Sequence, residues 1–398
     1  MRRILYAAAF LRALAIGLMA VLIALYAARV GMSAARIGVI LSCALWGAAL
    51  ATVVTLWIGP RVSERALLVG LCVVPALGCA AFLCVDSFPL LAVASFVAMF
   101  NVNGRDRGAI PIVEQAIFPA TTGDKGRTQV FAWYNVLLDS GYAAGGLLAA
   151  LPAVIAAASG LGMTGAMRAT LALFCVLYLL TALLYSLMPR HVAGAAAVGL
   201  RQLSPESRPI VAKIGGLFLL DAFGGGFVGS ALLAYFFAER FDVPAAGLAV
   251  LFTLGRVLSA LSHLAAAWLA RRIGLVNTMI YTHVPSSLLL FTIVASDHFA
   301  LAAALFLIRE GLNEMDVPTR QSYVMAVVKP EERLAAAGVT SLARCVGWAS
   351  APMLAGVLME WGGLGVPLVV AGVTKLAYDV FLWREFRRVR PPEELASI

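Results

Sequence analysis

Residues 4–28 read ILYAAAFLRALAIGLMAVLIALYAA, an apolar run with Arg12 as its one charge. As a helix rising about 1.5 Å per residue it is long enough to cross a bilayer core of about 30 Å. Residues 210–238 read IVAKIGGLFLLDAFGGGFVGSALLAYFFA. With the two runs laid over each other, Arg12, Tyr26 and Gly38 fall on Asp221, Tyr235 and Gly247. Two long apolar runs in register, each with a charge in its interior, point to a membrane chain built by repetition.

Composition carries that reading to the whole chain. Of 398 residues, 62% are hydrophobic and 13% charged. Soluble domains run at roughly 45–50% and about 25%. A mean hydropathy of +0.92 excludes a soluble enzyme and a disordered chain alike. The six cysteines lie in or beside apolar runs with no CxxC spacing, so they read as small packing residues rather than disulfides or metal ligands.

Twelve spans can be marked: 4–28, 37–58, 66–84, 88–117, 130–157, 166–188, 210–238, 245–269, 275–295, 298–327, 335–359 and 364–383. Open strands would leave backbone groups unpaired in lipid, so the spans are expected as helices. The first exceeds the core of a secretory signal and is expected to stay uncleaved. A polar stretch at 189–209 separates a six-helix unit at 1–188 from a second at 210–398, which ends in a short basic tail.

The chain carries a formal charge of +9. With the N-terminus inside, eighteen Lys and Arg fall on the inner side. Four, Arg29, Arg36, Arg168 and Arg240, fall outside. The bias predicts both termini in the cytoplasm of a plasma-membrane protein. It also accounts for the basic balance without nucleic acid.

The repeat continues beyond the first spans. Gly104 and Pro111 fall on Gly311 and Pro318, and after a one-residue gap Arg127 falls on Arg333 and Gly141 on Gly347. Twelve helices in two parallel six-helix repeats resemble the major facilitator superfamily of secondary transporters. The resemblance implies an all-α integral membrane fold, with two six-helix bundles related by a pseudo-two-fold axis and alternating access to a central site. The family's loop after the second span is similar to Gly59-Pro60-Arg61-Val62-Ser63-Glu64-Arg65, shortened here and without its Asp. Its copy, Ala270-Arg271-Arg272-Ile273-Gly274, has Arg271 at the Asp position. The fourth-span Arg-then-Gly pattern resembles Arg105 to Gly108, with Arg309-Glu310-Gly311 in the repeat. The Gly-Pro pattern of drug–proton antiporters is absent from the fifth span, where Gly141, Gly145 and Gly146 stand without a proline.

Charges inside spans cost roughly 2.5–3.5 kcal/mol each on insertion scales and call for a reason. Depth places Arg12, Asp139, Asp221 and Arg344 about 12–15 Å into their spans, near the midplane. The simplest pairing joins Arg12 to Asp139 and Asp221 to Arg344. These four, with Arg105, Tyr26 and Tyr235, are the candidate substrate-binding residues. Asp221, Asp139, Glu310 and Glu314 are the candidates for ion coupling. Arg61, Arg65, Glu114, Arg127, Arg271, Asp316, Arg320 and Arg333 are candidates for a cytoplasmic gate. Two readings stand side by side: a substrate and proton site, or ion pairs that hold each bundle together. Lys375 and Asp379, one turn apart in the last span, read as a local pair, and His263 as a packing residue.

No nucleophile–base pair, HExxH or phosphate loop is present in the sequence, so neither an enzyme nor an ATP-driven pump is expected, and no cofactor or metal. The expectation is a monomeric secondary transporter coupled to protons rather than sodium, moving an anionic or zwitterionic small molecule. Proton-driven efflux of amphiphilic compounds is the alternative. A non-transporting sensor would be expected to carry an added soluble domain.

Overall fold

A computed structural model describes residues 1–103, 108–117, 127–190, 203–315 and 333–386. Among the described residues the regular structure is all helical. In chain order the helices are α1 (Arg2–Arg29), α2 (Ala34–Ile58), α3 (Glu64–Leu83), α4 (Phe88–Ala98), α5 (Ala109–Ile117), α6 (Arg127–Leu147), α7 (Leu151–Ser159), α8 (Met163–Ser186), α9 (Ser207–Gly226), α10 (Ser230–Phe241), α11 (Ala245–Ile273), α12 (Leu275–Ala295), α13 (Phe299–Asn313), α14 (Arg333–Gly362) and α15 (Val366–Phe386). Ten described segments are long and apolar enough to cross a bilayer. The chain is a multi-pass membrane protein.

Among the described residues, three of the twelve expected spans are interrupted. The fourth is α4 and α5, because Met99 turns left-handed (φ 50°) and ends α4 ahead of the polar run from Asn101. The seventh is α9 and α10, divided at Phe227–Gly229 after three consecutive glycines. Glycine is the weakest helix former after proline. In the fifth, a single 3₁₀ turn at Leu148–Ala150 joins α6 to α7, where Pro152 lacks an N–H to continue the ladder. The tenth is α13, and residues 316–332 beyond it lie outside the described residues.

The helices fall into two compact units. The first holds Met1–Gly199, with Gly229–Thr253 and Pro352–Trp361 joined to it. The second holds Leu200–Val228, Leu254–Ala351 and Gly362–Ile398.

In lipid, apolar side chains gain little by leaving the solvent, so close packing of small residues holds helices together. The repeat supplies the same contact in each unit. In the first, Gly141 of α6 lies on α1, where a Cβ would come within 2.8 Å of the Phe10 carbonyl oxygen. In the second, Gly347 of α14 lies on α9, where a Cβ would come within 2.6 Å of the Leu219 carbonyl oxygen. Phe10 and Leu219 stand at the same repeat offset as Arg12 and Asp221. The repetition read in sequence is therefore also a repetition of packing. Helix α1 is enclosed along most of its length by α6, α8 and α10, as suits a helix apolar on every side.

Within the first unit, the start of α2 meets the end of α14. A Cβ on Gly38 would sit 2.2 Å from the Pro352 carbonyl oxygen, and one on Gly356 2.2 Å from that of Ala34. Pro352 interrupts the α14 ladder, and the Met353 N–H donates to Ser42 Oγ at 2.8 Å. Glu360 accepts the Ala35 N–H at 2.9 Å, placing a carboxylate on the N-terminus of α2. The break in the fourth span also joins this set. The Val102 and Asn103 carbonyls accept the Ala231 N–H (3.1 Å) and the Ser230 hydroxyl (3.3 Å) at the start of α10.

Candidate functional site

Among the described residues, Arg12 in the first unit and Asp221 in the second each lie in a buried polar network, and the two networks differ in how they are satisfied. In the first unit Arg12 meets Glu114 of α5, where the sequence suggested Asp139. Arg12 Nη2 donates to Glu114 Oε2 at 2.6 Å and Nη1 to Oε1 at 3.3 Å. Tyr134 donates to Oε2 at 2.7 Å and Tyr185 to Oε1 at 2.6 Å. Arg12 Nη1 also donates to the Tyr185 hydroxyl at 2.8 Å. A carboxylate offers about four acceptor positions, and these four donors fill them. Arg12 and Glu114 are wholly enclosed. Such a pair is costly to bury and costlier to break.

Glu114 reaches this depth because the fourth span is broken. A continuous helix from residue 88 would carry it to the membrane edge, where it reads as a gate residue. Asp139 is half-buried on α6.

In the second unit five charged or titratable side chains from four helices form a chain of contacts. Lys375 Nζ of α15 donates to Asp221 Oδ1 of α9 at 3.1 Å. It also lies 3.0 Å from His283 Nε2 of α12. The other imidazole nitrogen, Nδ1, lies 2.9 Å from Asp379 Oδ1. Arg344 of α14 reaches Asp221 Oδ2 at 3.5 Å, beyond the usual range of an N–H···O bond. Its guanidinium is 4.5 Å from the ring centre of Trp348 and 5.8 Å from that of Phe218. The Arg344 side chain is 14% exposed, against 6% for Lys375 and Asp221 and 2% for His283 and Asp379. Arg344 is thus the most accessible member.

Sequence reasoning placed Asp221 beside Arg344. It read Lys375 and Asp379 as a local pair, whereas the structure joins them through His283. It passed over His283 altogether. The depth test that found Asp221 would have found His283, which lies about 12 Å into its span.

A third cluster, also in the second unit, is centred on Glu310. Arg256 Nη2 donates to Oε2 at 2.9 Å and Arg309 Nη1 to Oε1 at 2.7 Å. Arg309 Nη2 lies 3.5 Å from Asn313 Oδ1. Glu314 is buried just past the end of α13.

Tyr26 is buried in the first unit and accepts from Arg168 Nε at 2.8 Å, and Arg168 also pairs with Asp86. Tyr235 is buried on α10. Among the expected gate residues, Arg61 donates to the Trp57 carbonyl at 3.0 Å, and Arg65 to that of Met188 at 3.3 Å. Arg105, Asp316 and Arg320 lie outside the described residues, as do the side chains of Arg127, Arg271, Arg333 and His263. Among the described residues no group of His, Cys, Asp and Glu could hold a metal ion.

Comparison with known proteins bears on the whole chain. The family model of the Major Facilitator Superfamily matches residues 214–397. An uncharacterized membrane protein of Saccharomyces cerevisiae is 23% identical over 418 residues, covering 96% of this chain and 92% of that one. The nucleoside transporter NupG superposes with a TM-score of 0.75 at 12% identity, over 97% of this chain and 99% of that one. A bacterial homolog of the human lysosomal transporter Spinster, inward-facing and occupied, gives 0.74 at 14% identity over 98% and 97%. The human organic anion transporter MFSD10 gives 0.64 at 16% identity over 96% and 98%. The chain therefore shares the fold of these solved structures along its length, and its residues 214–397 are similar to the Major Facilitator Superfamily.

Proposed function

We propose that this chain is a proton-coupled secondary transporter that moves an anionic or zwitterionic small molecule by alternating access. The observation that carries the reading is the contrast between the two buried networks. Glu114 is saturated by four donors, which suits a fixed strut. Asp221 shares Lys375 with His283 and holds Arg344 at 3.5 Å. The Arg344 guanidinium, the most exposed of the five side chains, can turn from its carboxylate to a substrate's, because a planar fork matches either one. Trp348 and Phe218 give that guanidinium an aromatic bed and a site for an apolar part of the substrate.

Asp221 is thereby the substrate-linked carboxylate. Glu310, with Glu314 near it, supplies a second buried acidic group for ion coupling, and Asp139 is the weaker candidate. Similarity to transporters named for nucleosides and organic anions is in keeping with a polar cargo. The contact of α2 with the end of α14 serves as the outer gate, and Arg61, Arg65 and Arg271 stand at the inner one. The chain sits in the plasma membrane as a monomer with both termini inside.

The test is uptake by proteoliposomes holding the full-length protein, with an acidic exterior and a panel of radiolabelled carboxylates, amino acids and nucleosides. Uptake that depends on the pH gradient and is lost in Arg344→Ala supports the reading. Export of hydrophobic cations, unaffected by Arg344→Ala, would favour drug efflux and make the arginine structural.

A further inference from the structure

We propose that His283 carries the coupled proton, and that its protonation is linked to the engagement of Arg344 by an anionic substrate group, one proton for each negative charge. The inference rests on the transporter reading for the identity of the anion. Its own support is the geometry of the second unit's network.

The hydrogen bonds fix the resting tautomer. Lys375 has donors and no acceptor, so Nε2 of His283, 3.0 Å from Nζ, must be the accepting nitrogen. Nδ1 then carries the hydrogen and donates to Asp379 at 2.9 Å. In this state the imidazole is neutral. Among these five side chains, two cations, Lys375 and Arg344, stand against two anions, Asp221 and Asp379.

The groups that face the imidazole are Asp221 from α9, and Lys375 and Asp379 from α15, with the Tyr378 ring edge-on at 5.7 Å. Arg344 from α14 acts on it through Asp221. Among the described residues no charged side chain of α13, which packs along α12, meets it.

An anionic group that draws Arg344 onto itself leaves one cation facing two buried anions. Proton uptake at Nε2 restores the balance. The new Nε2–H faces Asp221 Oδ1, now 3.5 Å away, and bonds it after a small approach. Lys375 loses its acceptor on the ring and keeps its bond to Asp221. No other bond is made or broken. Imidazole is the side chain whose charge ordinarily changes between pH 5 and 8, which suits it to this exchange. Asp379 holds the ring in place and donates nothing.

The linkage can be read without knowing the substrate, because removing the charge of Arg344 imitates its capture. Full-length protein in nanodiscs, labelled with ¹⁵N-histidine, is titrated by NMR, with the His283 signal assigned by its loss in His283→Gln. In wild type at pH 7.5, His283 should be the neutral Nδ1–H tautomer. In Arg344→Gln its titration midpoint should rise by about one pH unit or more, a tenfold change in proton affinity per unit. Lys375→Gln should move it the same way and gives the same readout if Arg344→Gln does not fold. An Nε2–H tautomer in wild type, or a midpoint unmoved in a folded variant, overturns the proposal. An unmoved midpoint with pH-driven flux intact rejects the linkage and leaves the transporter reading standing. A moved midpoint with no flux of any solute rejects the transporter reading and supports the linkage.

Discussion

Arg12 and Asp221 stand at equivalent points of the two repeats, and each is buried at the centre of its own unit's polar network. Their charges are opposite, so the partners differ. Arg12 takes one carboxylate and the Tyr185 phenol, while Asp221 takes a lysine, an arginine and an imidazole edge. The position repeats and the chemistry is inverted, and under the proposed function one half serves as scaffold and the other as site.

The burial of the Arg12–Glu114 pair has a direct consequence for stability. Removing one partner of a buried pair typically costs about 3–5 kcal/mol, because the other charge is left enclosed. Arg12→Met and Glu114→Gln should each lower the melting temperature strongly. The double variant Arg12→Met with Glu114→Leu should recover most of the loss. A double variant as unstable as the sum of the singles would mean that the two side chains are not coupled.

Tyr26 is held by Arg168 at 2.8 Å and packed against Phe82. The expectation that it contacts substrate can be separated from a packing role. Tyr26→Phe keeps the ring and removes the acceptor, which should cost about 1 kcal/mol of stability. Transport with an unchanged KM is the expected result. A raised KM with an unchanged melting temperature would put Tyr26 in the site.

Gly38 has no room for a side chain, since a Cβ there would lie 2.2 Å from the Pro352 carbonyl oxygen. Gly38→Val should push the end of α14 away from α2. Overpacking costs about 1–3 kcal/mol. Hydrogen exchange by mass spectrometry should then show the amides of 353–361 opening roughly tenfold faster or more, local opening being what exchange reports. Unchanged exchange would mean that this contact does not hold the segment.

Arg344 should not tolerate a conservative change. Lysine keeps the charge but loses the fork and the flat face that lies on Trp348. Arg344→Lys should bind substrate at least about tenfold more weakly, the loss of one charge-assisted bond of about 1.5–3 kcal/mol. Equal affinity for both would show that a point charge suffices.

Much of this was legible in the residues. Apolar run lengths gave the helices, because a bilayer allows few alternatives. The repeat gave the register, and Gly141 and Gly347 proved to make matching contacts. Asp221 and Arg344 were placed together by depth and by their repeat-related positions. Depth failed for Glu114, because counting 1.5 Å per residue holds only along an unbroken helix, and Met99 breaks this one. The reading of Lys375 and Asp379 failed for another reason. Spacing along one helix shows which residues share a face, but not that a histidine from α12 stands between them.

The central claim is that Arg344 and Asp221 form a polar site for an anionic or zwitterionic solute. Its most direct test is the melting temperature of the purified full-length protein against a panel of metabolites and drugs at pH 5.5 and 7.5, in wild type and Arg344→Ala. The account predicts a rise with acidic or zwitterionic metabolites, larger at pH 5.5 and absent in Arg344→Ala. A rise confined to hydrophobic cations and retained in Arg344→Ala would contradict it.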